Sequence, residues 1–140
     1  MSNPWFYAIL AGIFTTIEAS INARLGKIVT PSIATLHSLM TGVVFIFVLK
    51  LVRGTLSGYG KIIFVSPQWL IGGFFGAFII YFATKAIPAL GVSNALTIIV
   101  ASQLISGFVI DAIMLHNQVL QIQKVAGLVL LLIGVYFIIK

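Results

Sequence analysis

The chain has no cysteine, which removes disulfides, thiol catalysis and cysteine-ligated metal sites together. Acids are nearly as scarce: Glu18 and Asp111 are the only two in 140 residues. Charged side chains of both signs make up 7% of the chain against 61% apolar. The mean hydropathy of +1.21 lies far outside the range of a soluble domain, so the solvent is lipid. No glycine-rich nucleotide loop or nucleophile elbow occurs. The two histidines, His37 and His116, stand far apart with no second acid near either. No metal cluster, no cofactor and no enzymatic chemistry are expected.

What charge there is carries a formal balance of +6. The eight basic residues are scattered singly near the ends of apolar segments, which is the usual flanking of membrane spans and not a nucleic-acid patch. No basic stretch precedes the first apolar segment, and Glu18 falls where the apolar core of a cleaved signal would lie. That segment is therefore expected to be a retained span.

Proline punctuates the chain. Asn3-Pro4, Thr30-Pro31 and Ser66-Pro67 each place a capping side chain before a proline suited to the first helical turn, and Pro88 is expected to end a helix. The pattern predicts an all-α integral membrane fold, one transmembrane domain over residues 1–140 with helices at about 4–25, 31–52, 67–87, 91–115 and 123–139. Each has roughly the 20 residues needed to cross about 30 Å of hydrocarbon. The connection from Arg53 to Ser66, with three glycines and Tyr59, is expected at the interface. The apolar runs are too long and do not alternate as barrel strands would.

The first span is interrupted by Thr15-Thr16-Ile17-Glu18-Ala19-Ser20-Ile21-Asn22. Spacings of three and four put Thr15, Glu18 and Asn22 on one stripe, beside a ridge of small residues at Ala8, Gly12, Thr16, Ala19 and Ala23. Seven Leu, Ile and Phe residues between Trp5 and Ala23 each favour insertion by about 0.3 to 0.6 kcal/mol, while a central acid costs roughly 3 kcal/mol. The two terms nearly cancel, so this helix needs partners. Glu18 is then either a functional ionisable group or a protonated acid whose hydrogen bond to a neighbouring helix fixes register.

The other polar positions carry paired readings too. Gly72, Gly73 and Gly76 on the third helix permit close backbone approach, as packing helices of every function do. On the fourth helix Ser93, Asn94 and Thr97 lie near the start, and Gln103, Gly107 and Asp111 share a stripe. Gln103 can read a substrate or hold a neighbouring helix. Asp111, near the membrane surface, is expected to form an ion pair with Lys124, Lys50 or Arg53. His37, one turn before Thr41, is expected to be a hydrogen-bonded interfacial histidine.

Several stretches occur in a telling order: Glu18-Ala19-Ser20-Ile21-Asn22-Ala23-Arg24-Leu25-Gly26, Gly72-Gly73-Phe74-Phe75-Gly76-Ala77, Pro88-Ala89-Leu90-Gly91, and Ser102-Gln103-Leu104 with Asp111. Over nearly the whole chain this set resembles the YdcZ-type small membrane proteins of the drug/metabolite transporter superfamily. The last segment, with Gly127 and Gly134, resembles the dimer-forming final helix of small multidrug resistance transporters. The chain departs from the YdcZ pattern at Glu18, where glutamine is commoner, and so acquires the first-helix glutamate that small multidrug resistance proteins use for proton-coupled exchange.

The resemblance implies a half-transporter of the bacterial inner membrane, five helices that pair to give ten. Polar faces on the first and fourth helices support pairing independently, since they need something to face. The expected function is secondary transport, as a proton-coupled exporter of a small organic solute or cation. Its partners would be a second copy in an antiparallel homodimer, the substrate, protons and the bilayer. Glu18, Asn22, Thr15, Gln103 and Asn94 are the candidate substrate and proton residues. Asp111 and Lys85 are candidate ion-pair or structural residues, and Gly72, Gly73, Gly76, Gly127 and Gly134 candidate packing residues. Two alternatives stand: a non-transporting membrane subunit held together by the same polar groups, or a transporter of a neutral or anionic metabolite through Gln103, Asn94 and Lys85.

Topology follows from charge. Arg24, Lys27, Lys85 and Lys140 fall on one side and Lys50, Arg53, Lys61 and Lys124 on the other. With no Lys/Arg bias to follow, insertion in both orientations is expected. Glu18 lies about four residues past the midpoint of its expected helix, so two copies in an antiparallel pair would be offset by roughly 12 Å along the membrane normal.

Overall fold

The computed structural model describes residues 4–114 and 122–140. These form α1 (Pro4–Ile28), α2 (Pro31–Val52), α3 (Gly72–Leu90), α4 (Val92–Met114) and α5 (Ile122–Ile139), with no strand among the described residues. Five segments are long and apolar enough to cross a membrane: the four helices α1, α2, α4 and α5, and Pro67–Leu90. The expected cap at Asn3, the helix end at Leu115 and His116 lie outside the described residues.

The best-defined helix start is that of α2. Thr30 is extended (φ −162°, ψ 158°) and its hydroxyl accepts from the Ile33 N–H at 3.2 Å, while Pro31 occupies the first turn, where its missing N–H costs nothing. The helix ends where Gly54 turns left-handed (φ 63°), its N–H donating to Leu51 and that of Thr55 to Lys50.

Two expectations for the third span need correction. Ser66 makes no side-chain cap, and Pro67–Trp69 is a single 3-10 turn ahead of the α-helix proper. With no side-chain acceptor and with the costly pair Gly72-Gly73 following, the first turn tightens instead of running straight on. Pro88 does not end α3 but sits inside its last turn. The left-handed Gly91 (φ 81°) is what stops it, and this one residue links α3 to α4. The connection after α2 contains a 3-10 segment, Leu56–Phe64, in which Tyr59, Ile63 and Phe64 are well exposed.

The chain sorts into two compact units, Met1–Pro88 and Ala89–Lys140. In the first, α1 packs along α2; in the second, α4 packs along α5. What is buried in the first unit is small: Ala19 and Ala23 of α1, Ala34 of α2, and Ala83 and Ile87 of α3. Two of the five residues of the expected small-residue ridge are thus used, whereas Ala8, Gly12 and Thr16 are exposed. The closest approach is at Gly26 rather than at the glycines of α3. A methyl there would collide with the Thr84 side chain and lie 3.5 Å from the Pro31 backbone. Thr84 itself is fully buried, and its hydroxyl has no hydrogen-bond partner. Large apolar side chains such as Phe14, Phe45, Phe75 and Leu130 are exposed along the helices, as suits a lipid solvent.

Candidate functional site

In the first unit, polar side chains of α1 and α2 meet. Ser38 donates its hydroxyl hydrogen to Glu18 Oε1 at 3.1 Å and accepts from Asn22 Nδ2 at 3.1 Å. The direct contact from Asn22 Nδ2 to Glu18 Oε1 is longer, 3.5 Å, so Asn22 acts mainly through Ser38. Asn22 is buried and Ser38 half-buried, while Glu18 is exposed. One carboxylate oxygen is therefore held, and among the described residues the other makes no hydrogen bond.

The expected stripe does bring Glu18 and Asn22 to the same side of α1. Ser38 was not anticipated. The available signal was the spacing Thr35, Ser38, Gly42, three and four residues apart, which makes a thin stripe on α2 of the kind that lets another helix approach. Thr35 is buried with its hydroxyl on the Pro31 carbonyl at 2.8 Å.

Glu18 and Ser38 sit in the wall of an open cavity of about 630 Å³. Leu39, Gly42, Val43, Ile46 and Phe47 of α2 form its apolar length, and Lys50 with Tyr59 also lines it. This is solute-sized, an apolar surface with a few polar groups.

The remaining candidates lie elsewhere. Thr15 lies on the Glu18 stripe but spends its hydroxyl on the Ala11 carbonyl at 2.8 Å, with Thr16 bonding Gly12 at 3.0 Å and Ser20 bonding Thr16 at 2.7 Å in the same way. His37 is exposed, and its carbonyl accepts from Thr41 at 3.0 Å. Lys85 places its ammonium 5.4 Å from the Tyr81 ring centroid, a cation–π contact and not an ion pair.

Gln103 belongs to the second unit. With Gly107 and Asp111 of α4 it faces Lys124 and Gly127 of α5 across an open cavity of about 410 Å³, so the expected stripe exists. The expected ion pair at Asp111 does not form among the described residues; Lys124 shares the groove without reaching it. A third hollow, about 430 Å³, runs past Thr97, Ala101 and Gly134. Asn94 is half-buried, lines none of these three cavities and makes no hydrogen bond among the described residues. Gly72, Gly73, Gly76, Gly127 and Gly134 have nothing within 4 Å of where a Cβ would stand.

Five membrane-length segments are the mark of a small multi-pass membrane protein. The chain belongs to the family described as "Putative inner membrane exporter, YdcZ", which residues 3–137 match. It is 26% identical over 137 residues to Inner membrane protein YdcZ of Escherichia coli (strain K12), a similarity covering 94% of this chain and 91% of that protein. No solved structure matches the chain. Helices and kinship together place it in the inner membrane as a multi-pass protein.

Proposed function

We propose that the protein exports a small organic cation in exchange for protons, with Glu18 as the shared site and two copies arranged antiparallel. The observation that carries this reading is the Glu18 carboxylate within a membrane-length helix, one oxygen held by Ser38 and the residue lining a solute-sized cavity. An ionisable group facing a cavity within a span is an ion or substrate site by default. Cation and proton would compete for it, and exposing it alternately to the two sides gives exchange.

Pairing is supported by the surfaces left uncovered. The glycines of α3 and α5 face open space, ready for close backbone approach by a second copy. The observed α1 runs three residues beyond its expected end, to Ile28, which moves its midpoint to Thr16 and brings Glu18 within about 3 Å of it. Two antiparallel copies would then be offset by roughly 6 Å along the normal, half the separation expected from sequence. The smaller axial offset would allow the two carboxylates to approach more closely than the helix bounds expected from sequence.

The test is substrate flux in proteoliposomes across a pH gradient, comparing wild type with Glu18→Gln. The variant should stay folded and lose pH-driven flux. Transport by Glu18→Gln with an unchanged pH profile would refute the reading, and the groove of Gln103, Asp111 and Lys124 would become the site of a transporter for a neutral or zwitterionic metabolite.

A further inference from the structure

The cavity beside Glu18 is longer than a small cation requires. Ser38 at one end and Lys50 at the other both belong to α2 and both line it. Twelve residues separate them, which is about 18 Å of helix. The wall between is apolar, and Gly42 has nothing within 4 Å of a Cβ position, leaving the waist of the groove open. Tyr59, contributed by the 3-10 segment after α2, shares the cavity with Lys50. Among the described residues, Glu18 and Lys50 are the only acid and base on its wall.

We propose that this cavity takes an elongated bipolar solute, with an ammonium at Glu18 and Ser38, an anionic group at Lys50 and Tyr59, and an apolar body of roughly a dozen carbons between, since an extended chain advances about 1.25 Å per bond and the flexible Lys50 stem can cover the remaining few ångströms. The proposal rests on the reading of Glu18 as a cation site and names the class of substrate. Charge complementarity selects this occupant. A plain acyl chain would lay hydrocarbon against a carboxylate without a partner, which is costly. A short cation would satisfy Glu18 but leave most of the apolar length and the Lys50 end unused. A ligand with a charge at each end meets both poles and removes the apolar wall from water or lipid. Lys50 can reach inward or snorkel outward on its flexible stem, so it can hold the ligand's anionic end at the mouth.

The test uses purified full-length protein in lipid nanodiscs, with calorimetric titration corrected for uptake by empty nanodiscs. The probes are ω-aminododecanoic acid, dodecylamine and ω-aminohexanoic acid. The long bipolar probe should bind about tenfold more tightly than dodecylamine, the effect of one added charge-assisted contact, and more tightly still than ω-aminohexanoic acid, which is too short to meet both poles and buries less apolar surface. Lys50→Met should abolish its advantage over dodecylamine while leaving dodecylamine unchanged; Lys50→Gln serves if the methionine variant does not fold. Glu18→Gln should weaken both long probes. Equal binding of the two long probes, or an advantage that survives loss of Lys50, overturns the bipolar site while Glu18-dependent amine binding keeps the cation reading. Binding of all three probes independent of Glu18 overturns that reading as well, and the bipolar site with it.

Discussion

The contact of Gly26 with Thr84 can be broken and repaired by single methyl groups. In Gly26→Ala the new Cβ meets the Thr84 methyl on one side and the Pro31 backbone on the other, and Thr84 is too fully buried to swing away. Overpacking of this kind costs about 1 to 3 kcal/mol. Better helix propensity returns up to about 1 kcal/mol, less here because Gly26 lies in the last turn of α1. The net loss should be about 1 to 2 kcal/mol, or roughly 3 to 6 °C in Tm at about 3 °C per kcal/mol. Thr84→Ser removes the methyl in the way and alone should cost about 1 kcal/mol for the small void. The double variant puts the alanine methyl where the threonine methyl was, so its stability should return to within about 1 kcal/mol of wild type, a coupling expected only of residues in contact. The assay is thermal unfolding of all four proteins in one detergent. If the double variant shows the sum of the two single losses, α1 and α3 do not touch at this point and the packing argument fails.

Thr84→Val should raise Tm by roughly 3 °C, because a buried hydroxyl without a partner costs about 1 kcal/mol or more; a fall would show that the hydroxyl has an acceptor in the membrane. Ser38→Ala removes the donor to Glu18 and leaves the buried Asn22 with only its long contact, so apparent cation affinity in the flux assay should drop about tenfold. Ser38→Thr, which keeps the hydroxyl, should rescue it, and wild-type affinity in the alanine variant would remove Ser38 from the site. Two lysines added at the C-terminus should bias insertion and lower activity until an oppositely biased copy is co-expressed; full activity from a uniformly oriented population would contradict the antiparallel pair.

Helix identity was legible because lipid leaves the chain few options: apolar runs of membrane length can only be helices, and Thr30-Pro31 marks a start both chemically and sterically. Ends were less legible. Pro88 looks like a terminator, yet near a C-terminus it removes one hydrogen bond without barring another turn, and Gly91 decides. Within the site, Glu18 and Asn22 could be found from one another by spacing along α1. Ser38 could not be tied to them in that way, because its relation to them is tertiary: the thin stripe of Thr35, Ser38 and Gly42 marks an approachable face of α2 but not its partner. Glycines are a similar case. Gly72, Gly73 and Gly76 have nothing within 4 Å of a Cβ position in the single chain, while Gly26, which no small-residue pattern singles out, makes the tight contact within it. Gln103 and Glu18 looked like parts of one polar set, but they line separate cavities in separate units.

The hydroxyls of Thr15, Thr16 and Ser20 each bond a carbonyl four residues back. Such a carbonyl already accepts a backbone N–H and now serves two donors, which loosens its grip on the helical one and favours bending. Three such shared carbonyls soften the stretch from Ala11 to Ser20, and it brackets Glu18. Were Glu18 the exchange site proposed above, a bend at these shared carbonyls would re-aim the acid without leaving a backbone donor unpaired.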